Sequence, residues 1–128
     1  MANLHHEIVR VTQQLLESIV AGDWATYEQL CDPTLSCFEP ESRGHLVEGM
    51  AFHKFYFDLE HSGSPRTTTI ASPHVRALGS EAAVISYVRL TQSIDLAGQP
   101  ATAAVEETRV WQRSGGAWKH VHFHRSPA

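Results

Sequence analysis

The hydrophobic period of this chain changes once, and that change limits what it can fold into. Leu4, Ile8, Val11, Leu15 and Ile19 recur at helical spacing, with Leu16 and Val20 widening the stripe. Gly22 is placed to end this helix, and Asp23 to cap a second one carrying Trp24, Tyr27 and Leu30. Asp32-Pro33 then reads as a stop, Leu35–Phe38 as a short strand and Glu39-Pro40-Glu41 with Gly44 as a polar loop. A third helix is expected to carry Phe52, Phe55, Tyr56 and Leu59, followed by a turn at Ser62-Gly63-Ser64-Pro65.

Beyond that turn the residues are β-branched and alternate. Thr67–Ile70 and His74–Leu78 read as strands interrupted by Pro73. Ala83–Ile94, Ala101–Arg113 and Trp118–Arg125 read as longer ones, joined by turns at Asp95–Pro100 and Ser114-Gly115-Gly116. Helices first and an antiparallel meander last predict an α+β domain, with helices covering one face of a curved sheet. The 128 residues make one domain, 1–128, large enough to fold without a covalent staple.

A net charge of −4 and only ten scattered Lys and Arg argue against nucleic-acid binding. No apolar run is long enough to span a membrane, and Met1–His6 lacks the pattern of a signal peptide. Cys31 and Cys37 are too few for a disulfide framework and are expected to be reduced, which fits a cytoplasmic setting.

Strand parity singles out three arginines. Ile85, Tyr87, Arg89 and Thr91 share one face of their strand, Val105, Glu107, Arg109 and Trp111 one face of the next, and Val121, Phe123 and Arg125 one face of the last. An Arg aimed at a covered face is costly unless paired. Convergence of the three would make a cationic hollow suited to a carboxylate or phosphate. The same residues would equally serve as partners of Glu41, Glu48, Glu106 or Glu107, and adjacent Val110 and Trp111 leave the covered face of their strand ambiguous.

Nine histidines are many for this length. His120, His122 and His124 alternate on one strand face, a spacing that can hold zinc if a third ligand comes from elsewhere; a polar face packed in an interface is the simpler reading, and no metal or cofactor is expected. His53 sits in the aromatic helix and points either into a pocket or into the core. No nucleotide, hydrolase or kinase motif is present. An isomerase-like site would need a carboxylate base facing an oxyanion donor, for which Tyr87 with Glu41 or Glu107 are the candidates.

Blocks of residues carry a family resemblance. Gly22-Asp23-Trp24, Cys31-Asp32-Pro33, Phe38-Glu39-Pro40-Glu41, Leu46-Val47-Glu48-Gly49, Phe52-His53-Lys54-Phe55-Tyr56-Phe57, Tyr87-Val88-Arg89-Leu90-Thr91-Gln92, Glu106-Glu107-Thr108-Arg109-Val110-Trp111 and Val121-His122-Phe123-His124-Arg125-Ser126 fall in order along nearly the whole chain. They resemble the association (hub) domain of calcium/calmodulin-dependent protein kinase II. The resemblance implies a cone-shaped fold like nuclear transport factor 2, akin to SnoaL-type proteins and ketosteroid isomerase. It implies a non-catalytic module whose dimers stack into closed rings, as dodecamers, tetradecamers or larger. It also implies an arginine pocket that accepts small carboxylates, at Arg89, Arg109 and Arg125 with His53, and with Tyr87 beside them. Asp58–Pro65 is shorter than the family's loop and lacks its Trp and Arg, which puts a flap over that pocket in question. Partners implied are further copies of the chain, a kinase domain in cis or kinase hub subunits, and the chain is expected to be either a piece of such a kinase or a free-standing hub-like protein.

Overall fold

A computed structural model describes residues 3–59 and 65–128. Helix α1 spans Leu4–Ala21. The Asn3 side chain accepts from the backbone N–H groups of His5 and His6, and Gly22 closes the helix in the left-handed conformation at φ 68°. Ile8, Val11, Leu15 and Leu16 are buried as the stripe predicts, while Leu4 and Ile19 are half-covered. Thr12, outside that stripe, is also fully buried, because its hydroxyl accepts the indole N–H of Trp111 at 3.0 Å. Asp23 caps α2, Trp24–Leu30, through the N–H of Thr26.

The expected stop at Asp32-Pro33 needs correction. α2 ends at Leu30, and β1 runs Cys31–Phe38 with Asp32 and Pro33 inside an irregular stretch of its pairing. The Asp32 carboxylate there accepts the N–H of Thr34, a local turn built into the strand. A 3₁₀ turn at Pro40–Ser42 leads to β2, Val47–Glu48, and α3, Ala51–Phe57. The predicted aromatic face of α3 is not its covered face. His53 is buried and Phe57 packs between Trp24 and Tyr27, whereas Phe55 is 60% exposed. The turn expected at Ser62–Pro65 lies outside the described residues apart from Pro65.

The strands β3 (Arg66–Ala77), β4 (Ala82–Ile94), β5 (Pro100–Ser114) and β6 (Ala117–Pro127) complete a sheet of order β2-β1-β6-β5-β4-β3. The tight β5–β6 turn uses Gly115 and Gly116 at positive φ. β1 runs parallel to β6 while the other pairs are antiparallel, so the sheet is mixed rather than antiparallel throughout. Pro73 does not split β3 in two. Ser72 and Pro73 together oppose Tyr87, and this bulge absorbs the missing N–H on an edge strand.

A second bulge decides the site. Val110 pairs with His122 and Trp111 with His120, leaving Val121 as an extra residue. Side chains on either side of Val121 therefore change phase: Trp118, His120, Phe123 and Arg125 turn toward the helices, and His122 and His124 turn away. Three histidines on one face do not occur, because His120 belongs to the core. Glu107, Arg109 and Trp111 all lie on the covered face of β5, which resolves the ambiguity of Val110 and Trp111.

Candidate functional site

The covered face of the sheet gathers charge. Arg109 on β5 is 1% exposed, with its guanidinium over the Phe123 ring at 4.4 Å. Its Nε donates to the Tyr87 hydroxyl at 2.9 Å, its Nη2 to Glu107 Oε1 at 3.1 Å and its Nη1 to His120 Nε2 at 3.4 Å. Tyr87 in turn donates to Glu107 Oε1. Arg89 on β4 stands 3.5 Å from Glu107 Oε2 and donates to Thr68 on β3. One carboxylate thus serves two guanidiniums. Burial alone would push the Glu107 carboxyl up, but Arg109 and Arg89 outweigh it and hold the group below the usual carboxylate range. Burial, with Arg109 beside it, holds His120 neutral. An imidazole accepting at Nε2 carries its proton on Nδ1, which faces Cys31 Sγ at 3.5 Å.

Arg125 on β6 behaves differently. It pairs with Glu41 and reaches Glu39 Oε2 at 3.4 Å, and this cluster is partly open to solvent. His53 on α3 turns Nδ1 toward Glu39 at 4.0 Å and Nε2 toward Cys37 Sγ at 3.8 Å. Burial and the nearby guanidiniums lower its pKa to about 4, so it is neutral at pH 7. Burial raises the Glu39 carboxyl despite Arg125.

Arg89, Arg109, Arg125 and His53 line one cavity of about 190 Å³, closed by Tyr27, Phe57 and Phe123. Parity alone placed the three arginines together, and the structure unites them with His53. Tyr87 is not on the cavity wall; it holds Arg109 from behind. Tyr87 and Glu107 do meet, as an acid–base pair would require. A carboxyl depressed by two guanidiniums is an anchored counter-ion, however, and a general base needs the opposite shift. Glu41 faces Arg125 instead. Sequence reading missed Glu39, the cavity carboxyl whose pKa is raised. The signal was available: Leu35, Cys37 and Glu39 share the parity of β1's covered face. His122 and His124 lie on the opposite sheet face, where His122 Nδ1 bonds Ser36 Oγ at 2.7 Å.

The model of the calcium/calmodulin-dependent protein kinase II association domain matches residues 4–128. The chain belongs to this family. The delta subunit of that kinase from Oryctolagus cuniculus is 54% identical over 122 residues, covering 94% of this chain. The chain spans only 23% of that relative's length. The solved hub homology domain from Chlamydomonas reinhardtii superposes with a TM-score of 0.94 at 46% identity, covering 98% of this chain and 99% of that one. A nuclear-transport-factor-2-like protein from Salmonella enterica shares the fold alone, with a TM-score of 0.75 at 23% identity over 95% of this chain and 89% of that one. The expected α+β cone, helices on a curved sheet, is therefore the fold of this association domain. No described helix is long and apolar enough to cross a membrane.

Proposed function

We propose that this association domain is a non-catalytic assembly module whose dimers stack into closed rings, with a cavity that accepts a small carboxylate. Family membership along residues 4–128 carries the assembly reading. The molecule adds support. Phe55, Leu46 and Phe38 are exposed at 60%, 47% and 38%, and the residues of the sheet face bearing His122 and His124 are half-buried or exposed, with no described helix covering them. These side chains are available for contacts between copies, and contacts that repeat by rotation close into rings. Such a ring would hold copies of this chain alone, or join kinase subunits in cis or in trans. Buried, free Cys31 and Cys37 suit a reducing, cytoplasmic compartment. Native mass spectrometry tests the reading: a particle of twelve, fourteen or more chains supports it, and a monomer or simple dimer at micromolar concentration overturns it.

The carboxylate reading rests on Arg125. Its half-open guanidinium already holds a carboxylate, that of Glu41, on the rim of the cavity. A ligand carboxylate would take that place and meet Arg89 deeper in. Acetate or succinate titrated against the wild type and Arg125→Ala should bind only the former.

Glu39 favours one alternative, a SnoaL-type enzyme, because a buried carboxyl with a raised pKa is a competent proton acceptor. Loss of turnover of any carbonyl substrate on Glu39→Gln would support that activity over a purely binding role.

A further inference from the structure

Neither the arginines nor the assembly surfaces use Cys37. It lies fully buried on β1, with its Sγ 3.8 Å from Nε2 of His53 on the cavity wall. Its neighbours are Glu39, two residues along the same strand face, and His53, presented by α3. One ligand atom from each, a sulfur, an imidazole nitrogen and a carboxylate oxygen, lie within 4.8 Å of one another. Among the described residues no other three His, Cys, Asp or Glu side chains converge this way.

We infer that Cys37, Glu39 and His53 form a three-ligand site for a borderline divalent cation of the zinc class. The ligand edges of a tetrahedral zinc site are about 3.5 Å, from bonds of about 2.0 to 2.3 Å. The 3.8 Å between Cys37 Sγ and His53 Nε2 is already near that length. Thiolate and imidazole select zinc, cobalt or copper over magnesium and calcium. Arg125 binds Glu39 through Oε2, which leaves Oε1 as the ligand oxygen; Oε1 lies 4.0 Å from the other ring nitrogen of His53, Nδ1, while Nε2 is the nitrogen that faces Cys37. Neutral charge is the other requirement. Arg89, Arg109 and Arg125 are matched by Glu107, Glu39 and Glu41, so the guanidiniums do not make the cavity a net cationic trap. Binding of M²⁺ releases the Cys37 thiol proton to solvent and forms the metal–sulfur bond, with no change of oxidation state. The site then carries one surplus positive charge. Glu39 and His53 both line the cavity, so water or a small carboxylate from it can supply a fourth ligand.

Cobalt reads the site directly, because a thiolate–cobalt bond gives a near-ultraviolet charge-transfer band that histidine and carboxylate ligands lack. Chelator-stripped full-length protein titrated with Co²⁺ should develop that band to one equivalent per chain, and Zn²⁺ should bleach it. Cys37→Ala should abolish the band, and Glu39→Gln and His53→Asn should each weaken affinity more than about 100-fold, beyond the loss typical of an outer-shell partner. Cys31→Ala and the double variant His122→Ala/His124→Ala should leave the band unchanged. The inference is overturned by a wild type that binds no cobalt, by cobalt binding without the thiolate band, or by a band that follows Cys31. Circular dichroism of each variant separates loss of the site from loss of the fold; should Cys37→Ala unfold, the Glu39→Gln and His53→Asn affinities decide. The outcome is independent of carboxylate binding by Arg125, which is read without metal.

Discussion

The two faces of one sheet treat polar residues in opposite ways. On the covered face, Arg109, Glu107, Tyr87 and His120 are locked into a closed network with almost no exposure. On the other face, Ser36, His122 and Thr108 are half-buried and bond to neighbours on adjacent strands, and His124 is exposed. The first arrangement is tolerable only if every member stays, since a charge left alone in the interior is far more costly than a missing pair. The second keeps water as a fallback partner. Buried polarity therefore fixes this fold, while exposed polarity is free to serve contacts between copies.

Breaking the covered network should give the largest effect. Glu107→Gln leaves Arg109 and Arg89 without their counter-ion, and a loss of about 3–5 kcal/mol in urea unfolding is expected; a loss under about 1 kcal/mol would mean the network relaxes by admitting water. The pH dependence comes next. The folded pKa of His120 is depressed below its ordinary value of 6.5, so the unfolded chain binds more protons as pH falls below that point. Stability should be complete above pH 7 and decline through pH 6 to 5, with a slope from this group approaching about 1.4 kcal/mol per pH unit. His120→Gln should flatten the curve. Third, Thr12→Val removes the acceptor of the Trp111 indole and should cost about 1–3 kcal/mol, although the volume barely changes.

The open face should respond in another currency. His122→Ala removes its bond to Ser36 and should cost the fold about 1 kcal/mol or less. If the proposed assembly is right, it will nevertheless shift the native mass spectrum toward smaller particles. Glu41→Gln is expected to change stability least, by about 0–1 kcal/mol, because its pair with Arg125 is partly solvated. It should tighten acetate binding several-fold by vacating the guanidinium, and unchanged affinity would place the ligand elsewhere.

Much of this was legible in the residues, and the gaps have physical causes. The α1 stripe, its Gly22 terminus and the Asp23 cap are local properties, and each appears where its residues place it. Alternation located Arg89 and Arg109 because β4 and β5 pair without interruption over that stretch. His120 was misplaced for the same reason: alternation assumes unbroken pairing, and the bulge at Val121 arises from how β6 meets β5. The parallel partnership of β1 with β6 was equally hidden, since the pattern within a strand says which face is buried and nothing about its neighbour. Glu39 was overlooked because it follows the strand in what reads as polar loop, although it continues β1's inward face.

Val121 makes the last strand two half-strands of opposite phase, joined by one residue. Deleting that residue would restore strict alternation and leave every other side chain on its present face. Drawing it into one-to-one pairing would instead slip the downstream half by one residue. His122 and His124 would then face the helices, and Phe123 and Arg125 would face outward. The cavity would lose its aromatic floor and its half-open guanidinium in a single step, and the outer face would exchange imidazoles for a cation and a ring. Substitution at this position changes a side chain and deletion removes only the bulge; a strand that keeps the residue but loses the bulge turns part of the protein inside out.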